Sequence, residues 1–255
     1  MRKKITKNSF LGLTAIWMYC LFNFHCVYAQ TLSDSAIYTL SLNQAYTFYK
    51  KTIGENLLLF TGNEYVAPSA KGQKLLGNPY FLSDQFLDGS IHYDGRYYEQ
   101  IPMHFQIQDE KLIITHPVTH TPIELLNEKI SYFTIGNYEF FKIPAQTASL
   151  LHTSKLYYNR LYNGSVIIWA LRDKKYTLSA KAEDQTATYK EYDQYYLQKG
   201  NNFYSIESEK ELLKVLPEKK AELKKFIRLH HLKFNADLEK NLILTVQYYD
   251  QINNL

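Results

Sequence analysis

The sequence predicts an α+β protein: a large antiparallel β-meander, folded as a sandwich or partial barrel, with an N-terminal helix and a helical C-terminal segment. Three observations predict it. Turn dipeptides recur between short aromatic and β-branched runs, at Gly62-Asn63, Asp94-Gly95 and Gly136-Asn137. Such pairs supply the positive φ of tight hairpins. Met103, Phe105 and Ile107 alternate with His104, Gln106 and Gln108, the period of a strand with one buried and one wet face. Beyond Ile206 the apolar spacing switches to that of helices.

The first segment reads as a signal peptide over residues 1–29. Arg2, Lys3, Lys4 and Lys7 open the chain with no acid among them. The apolar run FLGLTAIWMYCLFNFHCVYA follows and ends in Val27-Tyr28-Ala29. A basic start, an apolar middle and small residues before the cut describe secretion and cleavage after Ala29. Asn23 and His25 interrupt the run and no basic stop-transfer cluster follows, which argues against a retained anchor. Neither Cys20 nor Cys26 is preceded by the small residues of a lipid-modification site. The expected location is therefore exported: periplasmic or associated with the outer membrane in the cell envelope, or secreted.

Cleavage changes the composition. Both cysteines leave, so the mature chain has no disulfide, no thiolate nucleophile and no cysteine ligand. Without the four leading cations the 29 Lys and Arg become 25, equal to the 25 Asp and Glu. No global positive field remains for nucleic acid. No later apolar run reaches the ~18 residues of a membrane helix, so the cleaved chain is not expected to be an integral membrane protein.

The main body is assigned to residues 30–206. Ile37, Leu40, Tyr46 and Tyr49 fall near one helical face, Ser33-Asp34 offer a cap, and Gly54 marks an end. Then come about ten strands of the meander. Residues 207–255 form the helical segment, docked on the β region. Ser208 and Glu211 make a capping box, Pro217 starts a second helix, and Asn235 caps a third. The run EKKAELKKFIR reads as the solvated face of an amphipathic helix.

Candidates for chemistry are few. His116 and His120 stand four apart around Pro-Val-Thr, a loop rather than a metal-gripping helix face, so no metal site and no cofactor are assigned. His92 and His104 lie on strands without a nucleophile motif beside them. Asp84, Asp88, Asp94, Glu99, Asp109 and Glu110 crowd the centre, and spacing alone pairs none of them for glycoside hydrolysis. No catalytic residue is named. The composition is tyrosine-rich, with 23 Tyr in the full chain. A Tyr face can stack on a glycan or grip an envelope protein, and the residues to examine are Tyr93, Arg96, Tyr97 and Tyr98 beside one turn. Adjacent ones point to opposite faces, so at most half share a surface.

The motifs LLFTGNEYV, GNPYF, GSIHYDGRYYEQIPM, KISYFTIGNYEFF, LYNGSVIIWALRDKKY and LLKVLPEKKAELKKFIRLHHLKF occur in order over nearly the whole mature chain. As an ordered set they resemble an uncharacterised family of exported proteins from Bacteroidetes-type bacteria. The resemblance implies export and brings no activity with it. The functional expectation is a non-enzymatic binding or accessory protein of the envelope that uses its Tyr-rich β surface. The alternative is an envelope hydrolase acting on polysaccharide or peptide.

Overall fold

The computed structural model describes residues 34–49, 57–67, 74–144, 147, 151, 153–179 and 186–253. The signal-peptide reading, Ser33 and Gly54 lie outside them. The chain divides into two units, residues 1–55 and 56–255. In the first, helix α1 (Asp34–Tyr49) is the described element, with Ile37 and Leu40 exposed.

The second unit is built on an eleven-stranded sheet in the order β1-β6-β5-β4-β3-β7-β8-β9-β10-β13-β14, with every described pair antiparallel. The strands are β1 (Asn63–Glu64), β3 (Leu87–Tyr93), β4 (Arg96–Gln106), β5 (Lys111–Thr115), β6 (Pro122–Glu124), β7 (Ile130–Ile135), β8 (Tyr138–Lys142), β9 (Tyr157–Asn163), β10 (Ile167–Leu171), β13 (Gln194–Lys199) and β14 (Asn202–Ser205). The sheet is not closed into a barrel. A three-stranded sheet joins β11 (Lys174–Leu178) to β12 (Thr186–Glu191) antiparallel, and β12 to β2 (Lys74–Leu76) parallel.

Local chemistry explains the turns. At the β3–β4 hairpin Asp94 and Gly95 both have positive φ, 51° and 76°, as a two-residue type I′ turn needs. Gly136 does the same at the β7–β8 turn with φ 54°. Gly62-Asn63 is different from the expectation. Asn63 lies inside β1 and pairs with Glu124 rather than closing a hairpin. Gly62 is needed because a Cβ there would overlap the Glu124 carbonyl, so the glycine permits close strand approach.

The alternation at the end of β4 also departs from expectation. Met103 and Phe105 are buried, but so are His104 and Gln106. The segment from Asn78 to Phe86 covers the face assigned to water. Phe81 N–H donates to the Phe105 carbonyl, and Ile107 N–H to that of Pro79. Tyr80 and Phe86 stack on the two sides of His104, with ring centroids 4.5 and 3.9 Å away. The strand is buried on both faces because a loop distant in pattern, though near in sequence, folds back on it.

Among the described residues the core has three clusters. Phe81, Phe105, Phe133, Phe140 and Tyr157 pack edge-to-face and stacked between β4, β7, β8 and β9. Tyr158, Trp169 and Tyr196 form a smaller cluster. The third joins Ile168 and Leu197 of the sheet to Leu212, Leu223, Leu242 and Val246 of the helices. Those helices are α2 (Glu209–Val215), α3 (Lys220–Leu229) and α4 (Leu238–Asn253). Burying such side chains stabilises by about 1.5–3 kcal/mol each, which fixes the helices on the sheet.

Helix ends follow their caps. Ser208 Oγ accepts from Glu211 N–H, while the Glu211 carboxylate reaches back to Glu207 N–H at 2.6 Å. The last helix starts two residues later than the Asn235 cap would give. Asp237 Oδ1 accepts from Lys240 N–H at 3.0 Å and is the capping side chain.

Candidate functional site

The structure separates the four residues chosen at the β3–β4 hairpin. Tyr93 is fully buried and its hydroxyl oxygen accepts from Leu126 N–H. Tyr98 is buried opposite Ile91, in register on the same face. Arg96 and Tyr97 are exposed, and Tyr97 shares the other face with His92. Half of the presumed surface is therefore core, and Arg96 with Tyr97 is what remains accessible.

The acids of the central region do not gather into one site. Asp94 pairs with Lys129, the residue just before β7, and Asp109 accepts from Gln106. Glu110 is buried, and its carboxylate accepts the N–H groups of Leu156 and Tyr157 at 2.7 and 3.0 Å. Burial raises its pKa against the pull of those bonds. It fastens the start of β9 to the β4–β5 turn. His116 receives Val118 and Thr119 N–H groups on Nδ1 and organises its own loop. Among the described residues no group of three or more His, Cys, Asp or Glu is placed to hold a metal ion.

The most connected polar cluster surrounds Arg172, just after β10, whose side chain is 9% exposed. Its Nε and Nη2 donate to Asn159 Oδ1 at 3.2 and 2.8 Å. Nη1 donates to Asp193 Oδ2 at 2.5 Å and to Glu239 Oε2 at 2.7 Å, and Nη2 also reaches Glu239 Oε1 at 3.1 Å. All five guanidinium hydrogens are thereby used. Tyr195 adds its hydroxyl to Glu239 Oε2. Burial would lower the Arg172 pKa, but Glu239 and Asp193 outweigh it and hold it up. Burial pushes the Asp193 carboxyl up in turn.

Asp193 and Glu239 do line one cavity of about 640 Å³. A hydrolase needs one such carboxyl free to give a proton and another free to attack or activate water. Here both are bound to the same guanidinium nitrogen. The arrangement clasps β9, β10 and β13 to the first turn of α4, and leaves no donor of Arg172 for a ligand.

A second cleft has a volume of about 750 Å³. Three elements build it. Lys210 comes from α2, Lys220 and Lys224 stand one turn apart on α3, and Lys233 comes from the connection to α4. Leu213 and Phe234, both buried core residues, give it an apolar floor, and Ser208 and Asn235 add neutral polar groups. Glu209 is the acid in the lining. Among the described residues none of these four lysines makes an ion pair. Like charges four apart on a helix cost about 0.2–0.5 kcal/mol, a cost that a bound anion would reverse.

Only the spacing of Lys220 and Lys224 was visible in sequence, where it read as a solvated helix face. The convergence of Lys210 and Lys233 on them is a tertiary fact that no local pattern carries. Comparison of the chain with protein-family models, curated proteins and solved structures finds no match.

Proposed function

We propose that this chain is an exported, non-enzymatic binding protein of the cell envelope, and that its lysine cleft takes an anionic ligand bearing phosphate or carboxylate groups. One observation carries the reading: four lysines that have no ion-pair partner among the described residues converge from three elements over an apolar floor. Strong positive potential in a concave site favours an anion, and the floor favours one with an apolar part. Export rests on the basic, apolar and small-residue pattern of residues 1–29 and on the resemblance in motif order. Arg96 and Tyr97 stay accessible for an envelope partner.

The test is thermal unfolding and calorimetry of the mature chain with inorganic phosphate, a sugar phosphate and oligogalacturonate as probes. Binding of one of them is expected to raise the melting temperature, to weaken with salt, and to vanish in a Lys220→Glu, Lys224→Glu variant. Equal binding by that variant, or no shift with any probe, would overturn the reading.

A further inference from the structure

A second surface lies at the end of the large sheet. β14 is an edge strand, paired with β13 and with no second neighbour among the described residues. A groove of about 700 Å³ runs between it and α2. Its lining includes Asn202, Phe203, Tyr204 and Ser205, which is every residue of β14 in succession. A groove over one face of a strand meets alternate residues only. Contact with all four means that the groove follows the free backbone edge.

The phase of that edge is fixed by register. Ile206 N–H donates to the Tyr195 carbonyl at 2.9 Å, and Tyr204 and Asn202 stand opposite Leu197 and Lys199. Antiparallel pairs alternate between bonded and non-bonded positions. Tyr204 and Asn202 therefore bond to β13, while Phe203 and Ser205 turn their N–H and C=O groups outward. These two donors and two acceptors recur at the two-residue spacing of a strand. The strand is also undefended, since no Lys or Pro lies within it to block pairing.

We infer that an extended peptide segment of another protein adds as a further strand along β14, seated between that edge and α2. Main-chain bonding supplies the affinity in this mode, and side pockets supply the selection. Tyr204 and Val215 offer apolar contact. The charge of the wall selects an acidic residue. Lys214 has no ion-pair partner among the described residues, and Glu211 is spent on capping Glu207 N–H. This inference is independent of the lysine cleft, which uses Glu209, Lys210 and Leu213 on the neighbouring face of α2.

The experiment pans a random octapeptide display library on the mature chain. Selected peptides are expected to carry alternating β-branched or aromatic residues and an acid. Ser205→Pro removes an outward N–H without touching the ladder to β13, and should weaken binding by about tenfold or more, whereas Ser205→Ala should not. Should the proline variant fail to fold, a scan of N-methylated peptides against the unaltered protein decides. Binding must then be lost when methyl groups sit on one alternating set of amides and kept on the other. Four outcomes overturn the inference: no enriched peptides, peptides that bind the proline variant equally, a methylation profile without alternation, and self-association that Ser205→Pro abolishes, which would make a second copy the occupant.

Discussion

Asp250 and Gly164 are packed so closely that any side chain at the glycine would overlap the Asp250 carboxylate. The carboxylate accepts the Ser165 N–H at 3.0 Å, the Tyr162 hydroxyl at 2.7 Å and the Ser165 hydroxyl. One acid near the end of α4 thus holds the β9–β10 turn, and Gly164 makes room for it. Gly164→Ala is expected to cost about 1–3 kcal/mol by overpacking. Asp250→Ala should cost about 1–3 kcal/mol by removing three hydrogen bonds to one buried carboxylate, whose donors Ser165 and Tyr162 are exposed and half-buried. Urea denaturation of both variants measures this, and a loss below about 0.5 kcal/mol in Asp250→Ala would show that the turn stands without the helix.

The Arg172 clasp should behave as a buried ion cluster. Arg172→Met leaves Asp193 and Glu239 facing each other without a cation. The expected loss is about 3–5 kcal/mol, read from chemical denaturation. Adding Asp193→Asn and Glu239→Gln to that variant should recover part of it, because the uncompensated charges go. A triple variant no more stable than the single one would mean that shape, rather than charge, holds α4 in place.

Glu218 gives the protein a specific acid weakness. Its carboxylate accepts from Lys199 Nζ at 2.8 Å and from the Tyr249 hydroxyl at 2.5 Å. Burial opposes ionisation, but these bonds outweigh it and lower its pKa from 4.5 to about 2. A depressed carboxyl pKa adds stability above the unfolded value, and that stability is lost as pH falls through the folded one. The window is therefore pH 4.5 down to about 2. The pair is well exposed, so screening keeps the effect small. The difference in melting temperature between wild type and Glu218→Gln should shrink across that window; a difference constant with pH would refute the coupling.

His104 titrates in the same sense for a different reason. Burial between Phe86 and Tyr80 lowers its pKa from 6.5, and its Nε2 has no hydrogen-bond partner among the described residues. The neutral ring is the folded form. Its contribution to stability is present above pH 6.5 and is lost as pH falls below it, since the unfolded chain then binds the proton first. His104→Phe keeps the stack and removes that dependence, at a change within about 1 kcal/mol at neutral pH. An NMR titration that places the His104 midpoint at or above 6.5 would contradict the geometry.

The relation of sequence to structure is uneven in an instructive way. Asp94-Gly95 and Gly136-Asn137 were legible because a two-residue turn is decided by its own φ angles. Ser208 with Glu211 was legible because a capping box closes within four residues. Gly62 has the same composition signal as a turn, but its reason is the Glu124 carbonyl, which no local window contains. His104 and Gln106 read as wet because alternation reports one strand, not what folds over it. The lysine cleft is illegible for the same reason, since Lys210 on α2, Lys224 on α3 and Lys233 in the connection to α4 meet only after these three elements have packed.

The parallel pairing of β2 with β12 has a consequence for how the chain matures. Most neighbours in the large sheet are also neighbours in sequence, so they zip as they form. Lys74, Leu75 and Leu76 instead find Thr186, Ala187 and Thr188 from the far end of the β region. A chain emerging amino end first during synthesis must carry β2 unpaired until β12 has followed it. For that interval the strand edge of β2 is unsatisfied, which is the moment when an escorting chaperone has most to protect.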